Sequence, residues 1–301
     1  MSIPNAVRIL LEGLVDYAGL FPPAQLDMAG ALQQFAEHRD SDAAWMLGRF
    51  IVPAARLGEL EAAAAPLFPR APASDPWRLS VLSADPSADT ARITAFNDAH
   101  ADHRAGLAVI DTIELKAATA ADIERVAAGV RRGLVTYVEI PVSADPAELL
   151  GVLARVGARA KVRTGGVTPE AFPSVTDLAR FIRASVDAGV PFKATAGLHH
   201  PFRGAYRLTY AEGSATAPMY GFLNVFLAAG LASRGLSLAE LEQVLQTGDR
   251  AAFTLDDLGA GWGAYRLDLD DLLHARTRIA TTFGSCSFAE PVDDLHTLEI
   301  L

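Results

Sequence analysis

Leu134-Val135-Thr136-Tyr137-Val138-Glu139-Ile140, followed closely by Ala158-Arg159-Ala160-Lys161-Val162-Arg163, are the two runs on which the fold turns. Each is short, rich in β-branched or apolar residues and bounded by glycine or proline, as a strand buried on both faces should be. Between them, residues 145–156 repeat leucine and valine at helical spacing. The three pieces predict one strand–helix–strand unit.

Similar units extend outward in both directions. Upstream strands are predicted at Trp45–Val52, Trp77–Leu82 and Leu107–Glu114, with helices at 54–66, 87–103 and 119–132. Downstream, helix 174–188 leads to Val190–Ala196. Strand starts recur roughly every 25–32 residues, the length of one unit of an α/β fold. Tyr220–Ala232 is apolar throughout and too long for one strand, so it reads as a buried helix, with another at 238–246. Ala252–Leu255 is read as strand seven, 268–277 as a helix and Arg278–Gly284 as strand eight. Helices at 5–16 and 26–39 precede all of this, split by Gly19-Leu20-Phe21-Pro22-Pro23, with Asp27 as a cap for the second.

The expected architecture is a single (β/α)8 TIM-type barrel over residues 43–288. A helical extension covers 1–42 and a tail covers 289–301. No Gly-x-Gly-x-x-Gly follows the first predicted strand, which removes the main support for a dinucleotide-binding sheet. The segment Asp16–Pro23 is read first as a plug of the barrel bottom through Leu20 and Phe21. The other reading folds it over the mouth with Asp16 or Tyr17.

Composition narrows the partners. The net charge is -10 with no basic stripe, so nucleic acid and anionic membrane surfaces are not expected. The N-terminus lacks a signal-peptide pattern, and the single cysteine, Cys286, fits a reducing compartment. A cytoplasmic protein acting on a small molecule is the expectation, with a homo-oligomer left open.

Of 26 basic residues only three are lysine, Lys116, Lys161 and Lys193, and all three fall at or near predicted strand ends. Chemistry that arginine cannot perform is a physical reason to keep lysine. Strand alternation puts Lys161 with Arg163, Tyr137 with Glu139, and Lys193 with Thr195 on shared faces. If those faces point inward, Glu114 and Glu139 meet two lysines and an arginine at the end of the barrel where active sites lie. A purely structural ion network would satisfy the same burial cost.

Lys193 is the candidate Schiff-base nucleophile, its amine kept neutral by burial beside Lys161 or Arg163, with Glu139, His199 or His200 moving protons. Arg163, Glu114, Thr195, Gly165, Gly166, Ser285 and Ser287 are candidates for holding an anionic substrate group. No cofactor is expected. The alternative is a divalent metal held by His199, His200 and Glu139, in a lyase or hydrolase, although no His-x-His spacing supports it. A barrel that binds a metabolite without turning it over is the third reading. Cys286 has no base partner that sequence can name.

Three strand-end motifs resemble those of class I aldolases, deoxyribose-phosphate aldolase above all. They are Asp187-Ala188-Gly189-Val190-Pro191-Phe192-Lys193-Ala194-Thr195-Ala196-Gly197, Ala160-Lys161-Val162 leading to Thr164-Gly165, and Phe283-Gly284-Ser285-Cys286-Ser287. The resemblance implies a strand-six Schiff-base lysine at Lys193 and an anion site at Ser285 and Ser287. It implies lyase chemistry on a small anionic carbonyl compound. Glu114 would stand where the family has an aspartate. The family also carries a second lysine on strand seven, for which this strand count leaves no residue after Lys193.

Overall fold

The computed structural model describes residues 3–301. Helix α1 (Asn5–Leu11) stops at Leu11, and Gly13, at φ +55°, turns the chain into the barrel wall. There Val15–Tyr17 forms β1, only three residues long. Its neighbours supply what its length does not. Val15, Asp16 and Tyr17 pair with Phe283, Gly284 and Ser285 on one side, and Val15 and Tyr17 pair with Leu47 and Phe50 on the other.

Helix α2 (Met28–Arg39) follows, with the Asp27 carboxylate accepting the Gly30 N–H at 2.7 Å, the cap expected from sequence. The chain then alternates through β2 (Leu47–Pro53), α3 (Leu57–Ala64), β3 (Trp77–Leu82), α4 (Pro86–Ala99), β4 (Ala108–Lys116) and α5 (Ala120–Ala128). It continues through β5 (Val135–Glu139), α6 (Ala147–Val156), β6 (Arg159–Arg163), α7 (Val175–Asp187) and β7 (Phe192–Thr195).

After β7 comes an antiparallel hairpin, β8 (Gly204–Arg207) and β9 (Thr216–Met219), then α8 (Phe222–Ser233) and α9 (Leu238–Gln246). Helix α8 is buried from Phe222 to Ala232 because α7, α9 and α10 enclose it, so its lack of a polar face carries no penalty. Strands β10 (Phe253–Asp256), β11 (Gly259–Trp262) and β12 (Tyr265–Asp268) make a separate antiparallel sheet packed on α1, α8 and α10. Helix α10 (Leu269–Arg278), β13 (Ala280–Ser285) and α11 (Ala289–Thr297) complete the chain.

Strands β1 to β7 and β13 close into an eight-stranded all-parallel barrel, with β13 between β7 and β1. The (β/α)8 expectation is met, but two strand assignments change. Ala252–Leu255 is not a barrel strand: β10 turns back at Asp257-Leu258 onto β11 and never reaches the wall. The missing strand is β1, which supplies the first position and moves the first six expected strands up by one, while Arg278–Gly284 stays eighth as β13. Lys161 therefore lies on the sixth barrel strand and Lys193 on the seventh, side by side as Cα partners.

The plug expected at the barrel bottom is also corrected. Ala18, Phe21 and Pro22 line a cavity with the C-terminal ends of the strands, so this segment lies at the mouth. The opposite end holds Arg276 on α10, buried and donating to the carbonyls of Leu10, Glu12, Ala280 and Thr281. Burial pulls this guanidinium down to about 10.

Candidate active site

Barrel interiors are ordinarily filled by branched apolar side chains. In this barrel the upper interior is ionic. The alternation expected from sequence is observed: Lys193, Lys161, Glu114 and Glu139 all point toward the axis.

The deeper tier centres on Lys193, which is 0 % exposed. Its Nζ donates to Asp16 Oδ2 at 2.7 Å and Glu114 Oε1 at 2.6 Å. Asp16 Oδ2 also accepts from Thr282 at 2.9 Å, and Asp16 Oδ1 takes the Arg49 backbone N–H at 2.8 Å. Gly48 makes this possible, since a Cβ there would lie 2.4 Å from Asp16 Oδ1. Ser80 donates to Glu114 Oε1 at 2.7 Å. Burial alone would push the Lys193 ammonium down and the Glu114 carboxyl up. The mutual attraction wins, raising Lys193 well above the ordinary lysine value and holding Glu114 well below the carboxylate range. Both stay charged.

The upper tier centres on Lys161. Its Nζ lies 2.9 Å from Glu114 Oε2 and 3.2 Å from Glu139 Oε2. The first contact is ionic and lacks hydrogen-bond geometry, so buried Oε2 has no hydrogen-bond partner. Glu139 is further approached by Arg163 at 3.4 Å and Lys116 at 4.0 Å. Burial raises the Glu139 carboxyl, and Lys161 and Arg163 more than reverse this.

Above this tier opens a cavity of about 530 Å³. Lys161, Glu114, Glu139, Arg163, Lys116 and Thr195 line it, whereas Lys193 does not. The size suits a small metabolite. Thr164 Oγ1 donates to the Ala196 carbonyl at 2.6 Å, fixing the exit of β7, where Ala196 takes φ +60°.

The other sequence candidates take different places. Gly165 packs against Phe172 and Gly197, where a Cβ would fall 2.4 Å from Phe172, so its role is close approach. Gly166 does line the cavity. Ser285 is buried and its Oγ accepts the Ser287 N–H at 3.3 Å. The Ser287 Oγ accepts the Glu290 N–H at 3.1 Å. Both serines are thus engaged in the turn into α11.

His199 and His200 diverge. His199 lines the cavity and pairs through Nδ1 with Glu290 Oε2 at 2.9 Å. Burial lowers its imidazole, but Cys286 and Glu290 outweigh this and push it up to about 9. His200 instead stacks on Tyr206 with ring centroids 3.5 Å apart and pairs with Asp294 at 2.6 Å, in a neighbouring cavity of about 350 Å³. Neither histidine reaches Glu139 in a shared ligand set: among the described residues no three His, Cys, Asp or Glu side chains converge as metal ligands would.

Sequence reasoning left Asp16 as one of two options for its segment and placed Ser80 and Thr282 nowhere. Asp16 sits in a strand too short to show alternation, and a serine and a threonine inside strands read as ordinary β-residues.

Compared with protein-family models, with curated proteins and with solved structures, the chain finds no match in any of the three. Fold and chemistry therefore rest on these residues themselves. No helix among the described residues is long and apolar enough to cross a membrane.

Proposed function

We propose that the barrel is an enzyme acting on a small anionic carbonyl compound through an imine on Lys161, in lyase chemistry of the aldolase type. The observation that carries this is the division of labour between the two barrel lysines. Lys193 is sealed and held as a cation by two carboxylates, while Lys161, its neighbour on β6, fronts the cavity. The nucleophile expected from sequence thus moves from Lys193 to Lys161.

The shifted strand count strengthens the aldolase resemblance. It puts a lysine on the sixth strand and a second on the seventh, the pair that sequence reading left incomplete. Lys193, one carboxylate away from Lys161, supplies a fixed positive charge beneath the site.

An anionic group of the substrate would be drawn by Arg163 and Lys116 at the mouth. Engaging Arg163 loosens its hold on Glu139, freeing that carboxylate to take a proton from Lys161. The neutral amine then adds to the carbonyl carbon, giving a carbinolamine. Loss of water, with the proton returned by Glu139, yields the imine.

Borohydride reduction in the presence of small anionic aldehydes and ketones, followed by peptide mass mapping, tests this. The expected result is an adduct on Lys161 and none on Lys193, absent in Lys161→Ala. Ligand-induced thermal stabilisation with no adduct and no turnover would instead make the barrel a binding protein and end the imine reading.

A further inference from the structure

Cys286 is the chain's only cysteine, at the end of β13 where the wall meets the cavity, and imine chemistry gives it no task. Sequence could not name a base for it. Two loops distant in the chain and the helix that begins just after Cys286 now surround the thiol. His199, from the loop after β7, places Nε2 4.0 Å from Cys286 Sγ. Glu290, on the first turn of α11, holds the other ring nitrogen at 2.9 Å. Tyr210, from the loop joining β8 and β9, donates to Glu290 Oε2 at 2.8 Å and lies 3.6 Å from the sulfur.

We infer that Cys286, His199 and Glu290 form a nucleophilic triad in the wall of the same cavity, a second reactive centre that takes the acyl group of a small anionic ester or thioester. The order of contacts is that of a nucleophile, a base and a group orienting the base. With Nδ1–H donated to Glu290, Nε2 is the nitrogen turned to the thiol. The carboxylate fixes both the ring's tautomer and its angle. The 4.0 Å separation is the loose spacing typical of such pairs without substrate. Arg163 and Lys116 at the same mouth supply the preference for an anionic acyl compound.

The chemistry balances without a redox partner. Sγ, its proton held on His199 Nε2, attacks the acyl carbon. The bond to the leaving alcohol or thiol breaks as that group takes the proton from Nε2, leaving a thioester on Cys286. Water then attacks the thioester, giving its proton to His199, which returns it to the departing sulfur. The products are the carboxylic acid and the free thiol. This inference uses no atom of Lys161 and stands apart from the imine reading.

The test uses p-nitrophenyl acetate on the full-length protein. A stoichiometric burst of nitrophenolate is expected, with acetyl mapped to Cys286 and forming at least ~100-fold faster than on N-acetylcysteine at the same pH. His199→Asn, which keeps the thiol, should slow acylation about 100-fold, and Glu290→Gln about tenfold. Circular dichroism checks that both variants are folded. No acetyl on Cys286, a rate equal to the free thiol, or an unchanged rate in His199→Asn each overturn the triad. Because the acetyl maps to Cys286 and a borohydride adduct to Lys161, failure of one centre is read separately from failure of the other.

Discussion

Lys161 and Lys193 are Cα partners on adjacent strands, point the same way and share one carboxylate, yet they occupy different physical worlds. The deeper tier around Lys193, Asp16, Ser80 and Thr282 is shut off from the cavity, and Glu114 bridges it to the tier above. The upper tier around Lys161, Glu139 and Arg163 opens on the cavity. In the closed tier a charge survives only because each partner is permanently in place, so its ions are structural. In the open tier a charge can be exchanged for water or ligand, so its ions are available for chemistry. Depth along one barrel axis separates the two roles.

The sharpest way to break this comparison is to remove each lysine in turn. Lys193→Met should destabilise the fold by about 3–5 kcal/mol, because it strands buried Asp16 without a counter-ion and leaves Glu114 only Lys161. Lys161→Met should lose less than half as much, since water in the cavity can solvate what remains. Urea unfolding midpoints read both, and equal losses would erase the distinction.

The pH dependence of stability comes next. Glu114 is depressed in the folded state, so its contribution is present above the unfolded value of about 4.3 and is lost as pH falls toward the folded one. Lys193 is raised, so its contribution is present below about 10.4 and is lost as pH rises through the folded value. Between those limits the closed tier adds no slope. Glu114→Gln should flatten the acid limb of a denaturation series, and an unaltered limb would remove Glu114 from this role.

A smaller effect is expected from Gly48→Ala. The added methyl would displace Asp16, costing about 1–3 kcal/mol by overpacking. The variant should unfold earlier in urea, and unchanged stability would show that Asp16 has room to move. Smallest in stability is Arg163→Ala. Its half-exposed side chain should contribute under ~0.5 kcal/mol to folding. Binding of an anionic ligand, read by thermal shift or calorimetry, should still weaken about tenfold.

The legibility of the molecule followed the same division. Strands such as Val135–Glu139 and Arg159–Arg163 announced themselves because they are short, lie between glycine and proline breaks and set apolar residues such as Ala160 and Val162 between charged ones. Their period of two is enough to bring Lys161, Arg163 and Glu139 together from sequence alone. Strand β1 stayed hidden because three residues with a central aspartate carry no period, and its pairing energy comes from β2 and β13. Phe253–Asp256 looked like a wall strand because apolarity does not reveal the direction of pairing. The neighbours of Cys286 were illegible for another reason. Tyr210 and His199 arrive from two connections whose paths only the closed barrel defines, to meet Glu290 on the helix that follows Cys286.

Strand β1 is also where the two ends of the chain meet. Asp16 is delivered by the first strand and Thr282 by the last; Asp16 Oδ2 accepts from both the Thr282 hydroxyl and the ammonium of Lys193. The bond between residues 16 and 193 thus works as a clasp on the seam of the barrel. A chain still emerging from the ribosome cannot fasten it until β13 has been made, because β1 has no neighbour on that side before then. Until that moment Lys193 lacks the full set of contacts that makes its burial tolerable. Closing the wall and completing the charged floor beneath Lys161 are one event.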